Sequence, residues 1–255
     1  MILIIRNTLC KPNFNEKGYN AMIQRHTLCC LGFALLAVTS AAHAADNSTT
    51  YVGLKISTSR QSIGDDQRVS PRQNSLLSGS SAQNFASGSI SIGKAYASDY
   101  RAEVEYSFPK STEYTSFWTP FNANANVFQI RSQRLMLNAY KDLPLSSQWS
   151  ANLMVGLGAA FVKAKGWQGN PGRFLEENSQ TKLAASVGAG AEYAMARDWK
   201  LGLGYRYTYM GRVESGVNNY STAAFNNVTR VGVQDELMRG KLREHNLFVS
   251  LRKDF

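Results

Sequence analysis

Between Trp149 and Phe161 the chain reads WSANLMVGLGAAF. Its odd positions, Trp149, Ala151, Leu153, Val155, Leu157, Ala159 and Phe161, are all apolar. Its even positions, Ser150, Asn152, Met154, Gly156, Gly158 and Ala160, are mostly small or polar. A period of two places successive side chains on opposite faces of a strand. This segment therefore predicts a strand with one bulky apolar face and one small face. Lys182 to Tyr193, KLAASVGAGAEY, repeats the pattern, and so does Trp199 to Tyr209, WKLGLGYRYTY. Five further segments fit less regularly: Tyr51 to Ser59, Phe85 to Ala97, Tyr100 to Phe108, Gln133 to Tyr140 and His245 to Phe255. The expectation is an all-β chain of eight antiparallel strands in an up-and-down barrel, the even count that bacterial single-chain barrels have.

Size decides which face points inward. An eight-stranded barrel has room inside only for side chains. The faces rich in Trp, Tyr, Leu and Phe are too bulky for it, whereas Gly, Ser and Ala with isolated charges fit. The bulky face then meets lipid, and the barrel is transmembrane; a water-soluble barrel of the lipocalin type would reverse the faces. Aromatic residues fall at strand ends (Tyr100, Trp149, Tyr193 and Trp199 at one end, Phe161 and Tyr209 at the other), where rings sit well at a headgroup level. The mean hydropathy of −0.29 does not oppose this, because alternating strands hide from hydropathy.

The connections alternate in length. Ser98-Asp99, Lys141 to Ser147 and Ala194 to Asp198 are short, whereas Arg60 to Asn84, Pro109 to Val127, Ala164 to Gln180 and Met210 to Glu244 are long and rich in Ser, Asn, Gln and Gly. Short periplasmic turns and four long extracellular loops are the pattern of such barrels.

Met22 to Ala44, MIQRHTLCCLGFALLAVTSAAHA, has a basic start at Arg25 and His26, an apolar run from Leu28 to Val38, and an Ala-x-Ala site ending at Ala44. It predicts a signal peptide cleaved after Ala44, with residues 1–21 as a start-site extension and residues 45–255 as the barrel. Cys10, Cys29 and Cys30 all precede residue 31, so the barrel has no thiol for a disulfide or a metal site. The net charge of +10 leaves 24 basic and 17 acidic residues after Ala44. The basic residues are scattered singly, which argues against a nucleic-acid partner.

Ten charges fall on the small faces: Lys55, Arg101, Glu103, Glu105, Arg134, Lys182, Glu192, Lys200, Arg206 and Arg252. Unpaired charges in such a place are costly, so they are expected to pair across a filled lumen rather than line a wide pore. The pairs Gly156/Gly158, Gly188/Gly190 and Gly202/Gly204 lack the third glycine and following helix of a dinucleotide site. His245, the one histidine after Ala44, has Glu244 beside it, but neighbours on a strand face opposite sides. No catalytic residue, metal site or cofactor is expected.

The alternation Leu247, Val249, Leu251 ending in Phe255 resembles the C-terminal assembly signal of outer-membrane proteins, with Lys253 departing from the usual aromatic. That resemblance implies the barrel assembly machinery as a partner. GLGAAF (Gly156 to Phe161), SVGAGAEY (Ser186 to Tyr193), WKLGLGYRY (Trp199 to Tyr207) and RLMLNAYKDL (Arg134 to Leu143) are similar to the opacity-type, porin-family surface antigens. The similarity covers about Tyr51 to Phe255 and implies a Gram-negative outer-membrane adhesin or antigen with variable loops. The partners it implies are outer-membrane lipid, lipopolysaccharide and host surface ligands met through the loops. Loops displayed for adhesion or host contact, without catalysis, are the leading expectation. A structural envelope-integrity barrel, or a lipid-acting enzyme using His245, are the alternatives.

Overall fold

Eight long strands follow one another: β1 (Thr49–Val69), β2 (Ala82–Tyr96), β3 (Tyr100–Trp118), β4 (Phe121–Pro144), β5 (Trp149–Gln168), β6 (Asn170–Ala196), β7 (Trp199–Glu214) and β8 (Leu237–Asp254). Each pairs antiparallel with the next, and β8 pairs with β1 to close the sheet. Tyr51 faces Asp254, Leu54 faces Leu251 and Ile63 faces Leu242 across that closing seam. The two-residue segments Ser75–Leu76 and Ser78–Gly79 pair with β1 and β3. This computed structural model describes residues 48–69, 75–76, 78–79, 81–96, 99–118, 121–219 and 234–255. The expected leader, cleavage site and start-site extension lie outside them.

The closed eight-stranded barrel expected from the sequence is present, with no helix among the described residues. The expected apolar faces point outward. Val52, Ile92, Leu137, Leu153, Val155, Val187, Leu203 and Val249 are all exposed, Leu157 at 61% and Leu183 at 75%. Such a wall is stable against lipid, not against water. Tyr100, Trp149, Trp199 and Phe255 form an exposed aromatic rim at the short-turn end. The Lys253 ammonium lies 5.4 Å from the Trp199 ring and 5.2 Å from the Phe255 ring. Lys253 thus covers the girdle with its stem and ammonium where an aromatic was expected. The start of β1 and the end of β8 meet at this rim, where the Phe255 amide donates to the Thr50 carbonyl over 2.8 Å.

The strands run much further than the sequence periodicity indicates. The 20 residues of β5 span about 66 Å along the strand, or roughly 50 Å along the barrel axis at a tilt near 40°. That is twice the ~25 Å apolar band of such barrels. Most of the four long connections is therefore continued β-ladder: β3 and β4 pair up to Trp118 and Phe121, and β5 and β6 up to Gln168 and Asn170. The extra length keeps the facing but swaps the chemistry. In β4, Asn138, Met136 and Arg134 point inward in the apolar band, and Ile130 and Phe128 point inward beyond it. The outward residues change the opposite way, from Leu137 to the exposed Arg131. Beyond the band the barrel has the build of a water-soluble one.

Two bulges keep this facing intact. Pro109 reads as a strand stop, but the register shift between Ser107 and Lys110 places it in a bulge. A bulge tolerates a residue without an N–H, and the ladder resumes at Lys110. In β7, Gly211 adopts φ 76°, a left-handed conformation that glycine takes without strain, and the register shifts beside it. Met210 and Val213 consequently both point inward while Arg212 stays out.

Candidate functional site

The lumen is filled in tiers. Nearest the short turns, Arg101 pairs with Asp142 at 2.7 Å and Glu192 at 3.0 Å. Arg252 pairs with Glu192 at 3.0 Å and Asp254 at 3.0 Å, and Lys200 reaches Asp254 at 3.1 Å. Both guanidiniums lie over the Tyr51 ring, Arg101 at 5.8 Å and Arg252 at 5.0 Å from its centre. Next come Lys55, Glu103, Glu105 and Arg206. The Lys55 ammonium donates to Glu103 over 2.5 Å and to Glu105 over 2.7 Å. Arg206 Nη1 lies 2.9 Å from both Glu105 oxygens. Tyr140 and Asn138 donate to Glu103 over 2.6 Å and 3.1 Å, and Asn138 donates to Glu105 over 2.9 Å. Four charges of zero net sign thus share one hydrogen-bonded cluster spanning β1, β3, β4 and β7.

Above these lies Glu244, fully buried, with Arg134 at 3.0 Å, Gln61 donating over 3.0 Å, Asn246 donating over 2.7 Å, and Lys110 in close ion-pair contact. Thr112 and Tyr114 donate to the Gln61 side-chain oxygen over 2.8 Å and 3.1 Å. Tyr114 lies beyond the apolar band, and burial lifts its phenol above the ordinary value, so it stays a protonated donor. The next tier is apolar: Ile63, Phe128, Ile130, Val162, Met210, Val213, Met238 and Leu242 form one buried cluster inside the ladder, with buried Asn126, Gln168 and Glu236 beyond it. An ion crossing the barrel would have to break three charged tiers and then enter this plug.

Eight of the ten charges named from the sequence are buried: Lys55, Arg101, Glu103, Glu105, Arg134, Glu192, Arg206 and Arg252. Lys200 is half-buried at the lower mouth, and Lys182 is half-buried on the inward face of β6. Glu244 and Lys110, which sequence reading assigned to loops, hold the upper tier together. The lumen glycines give their space mainly to neutral neighbours. Gly156 opens onto Asn138 and Ser186, Gly158 onto Met136, and Gly204 onto the Phe248 ring.

His245 is on the outer wall, exposed, with its Nδ1 2.6 Å from the Tyr205 hydroxyl. Glu244 points to the lumen behind it, so the two are not a catalytic pair. Among the described residues, no group of three or more His, Cys, Asp or Glu side chains is placed to hold a metal ion. At the end away from the short turns, Phe117, Phe174 and Val217 are large exposed apolar side chains. The residues just after β7 are docked there: the Glu176 amide donates to the Val217 carbonyl over 2.9 Å, and the Asn219 amide to the Phe174 carbonyl over 3.0 Å.

The model of the family described as outer membrane protein beta-barrel domain matches residues 31–231. No curated protein matches the chain. Among solved structures it is similar to Neisserial surface protein A, at 18% identity over 82% of this chain and 100% of that one, with a TM-score of 0.44. It is also similar to the outer membrane protease OmpT from Escherichia coli, at 9% identity over 83% and 98%, with a TM-score of 0.43. A third is Ail, the attachment invasion locus protein of Yersinia pestis, in complex with the heparin analogue sucrose octasulfate, at 12% identity over 80% and 98%, with a TM-score of 0.35.

Proposed function

The chain belongs to the outer membrane protein beta-barrel domain family, and on that premise we propose that it is a sealed surface barrel whose distal end does its work by contact. The orientation in this reading puts the short turns and both barrel termini in the periplasm and the extended ladder outside. The observation that carries it is the filled lumen. With three charged tiers below an apolar plug, the interior offers neither a conduit nor a substrate chamber. Among the described residues, the end away from the short turns carries an exposed apolar rim with Phe117, Phe174 and Val217, standing clear of the lipid band. Exposed apolar groups among polar ones mark a recognition surface. The reading is therefore adhesion or host and environmental contact, without catalysis. Recognition by the rim needs neither a cofactor nor a metal.

The test is a binding screen of the refolded barrel against extracellular-matrix proteins and glycans. The same screen is run on a variant carrying Phe117→Ser, Phe174→Ser and Val217→Ser. The reading expects at least one ligand whose binding falls about tenfold or more in the variant while the barrel stays folded, as removal of anchoring apolar groups does. A ligand bound equally by both proteins would contradict the rim as the contact surface.

A further inference from the structure

Where the outer wall changes from apolar to charged, one seam is built differently from the rest. On β8 the outward residues run Val249, Leu247, His245, Arg243 and Lys241. Their cross-strand neighbours on β1 are Ile56, Thr58, Arg60, Ser62 and Gly64. On β7, Tyr205 lies beside Leu247, Tyr207 beside His245, and Tyr209 beside Arg243. The seam thus rises from aliphatic side chains, through a tyrosine layer, into a column of cations. Arg60 and His245 are direct neighbours at the boundary, and both are exposed. An open groove lies at that level, lined by Thr58, Arg60, Asn84, Tyr205, His245 and Leu247.

Among the residues whose side chains are described, which do not include Asp65 and Asp66, no carboxylate forms an ion pair with Arg60, Arg243 or Arg212. The other side of the barrel differs: Lys163 pairs with Glu177 at 3.1 Å, and Gln129 donates to Glu113 over 2.8 Å. Tyr205 occupies Nδ1 of His245, which leaves Nε2 as the ring's other polar atom. The Arg243 guanidinium lies against Gly64 on β1, 3.7 Å from where a Cβ would stand.

We propose that this seam of β1, β7 and β8 binds the phosphorylated headgroup of an outer-leaflet glycolipid. Charge and level both select that ligand. The Arg60 and Arg243 guanidiniums present planar forks suited to a phosphate. His245 Nε2 adds a third polar contact, and the tyrosines face sugar at the headgroup level. Below the groove, Leu247, Ile56, Val249 and Leu203 continue as an exposed apolar track for the acyl chains. A free anion would use only the cations, whereas a phosphorylated lipid uses both halves of the seam. The assignment takes from the proposed orientation only which leaflet the seam meets in the cell.

The test uses the mature barrel in nanodiscs and counts bound lipid by native mass spectrometry. The probes are diphosphorylated lipid A, dephosphorylated lipid A, phosphatidylglycerol, and inorganic phosphate as competitor. Nanodiscs expose both ends, so a wrong orientation in the cell does not affect this result, and surface labelling of cells reads that separately. Diphosphorylated lipid A is expected to bind at least tenfold more tightly than the other two lipids. Arg60→Gln and Arg243→Gln should each weaken it about tenfold, the worth of one charge-assisted hydrogen bond. Arg131→Gln, an exposed cation on the opposite wall, should leave it unchanged. Equal binding of dephosphorylated lipid A or phosphatidylglycerol would overturn the proposal. So would an Arg131→Gln loss as large as that of Arg60→Gln, or full competition by millimolar inorganic phosphate.

Discussion

Replacing Glu105 by leucine probes how dry the middle of the lumen is. Glu105 is fully buried and holds Arg206 through both oxygens at 2.9 Å, Lys55 at 2.7 Å and Asn138 at 2.9 Å. Without it, Arg206 has no carboxylate within ion-pair distance among the described residues, and Lys55 keeps only Glu103 at 2.5 Å. Removing one partner of a buried pair costs about 3–5 kcal/mol; because Lys55 stays paired, the loss falls on Arg206, and about 3–4 kcal/mol is expected for Glu105→Leu. That is roughly a 150- to 1,000-fold loss in the folding equilibrium. Adding Arg206→Met restores zero net charge, since Lys55 and Glu103 then pair alone. The double variant should recover about 2 kcal/mol or more, because a buried pair replaced by apolar groups is close to neutral. Urea unfolding of the refolded barrel in lipid vesicles, followed by tryptophan fluorescence, supplies the three midpoints. A single-variant cost below about 1 kcal/mol, or strictly additive effects, would show that each charge is separately solvated and the lumen is wet.

Several other outcomes follow from the same geometry. In planar bilayers the mature barrel should show no stable conductance on the scale of trimeric general porins, and such a conductance would contradict the filled lumen. Gly158→Ala should cost several kcal/mol, because a Cβ there would stand 2.7 Å from the Met136 Cα and closer still to the Leu135 carbonyl. Gly211→Ala meets no atom and should cost only about 1 kcal/mol of backbone strain at φ 76°; urea midpoints rank the two, and a reversed order would refute the packing at Gly158. N-terminal sequencing of outer-membrane material should begin at Ala45, and retention of residues 1–44 there would sink the cleavage assignment.

The apolar band was legible in the sequence because its outward face is nearly pure: Leu153, Val155 and Leu157 leave no ambiguity about period. The extension was not, for a physical reason. Its outward residues meet water, so Gln129, Arg131, Lys163 and Lys165 look like a loop, and the apolar signal moves to Phe128, Ile130, Val162 and Ala164 on the other parity. Reading one face continuously loses the strand where the solvent changes. Pro109 completed the disguise on β3, since a proline in a bulge and a proline ending a strand look alike. The lumen charges were legible as inward-facing, but their partners were not. Glu244 needed the strand to continue past His245, and Lys110 needed it to resume after Pro109. Tyr51, Asn138 and Tyr140 share the inward parity with the charges they serve, and period two alone locates them. Arg60 and His245 become neighbours only when β8 closes on β1, which no local pattern contains.

The central claim is that a sealed barrel presents its extended end outside the cell. The chain beyond Ala44 has no cysteine, so single cysteines can be placed at will. Asn170, at the β5–β6 turn of the extended end, and Asp198, at the β6–β7 turn of the other, are both exposed. Intact cells carrying Asn170→Cys or Asp198→Cys are treated with a membrane-impermeant maleimide. Labelling at position 170, with position 198 labelled only after the outer membrane is permeabilised, is the predicted result. Labelling of position 198 on intact cells, with position 170 silent, would invert the barrel and remove its extended end from the surface.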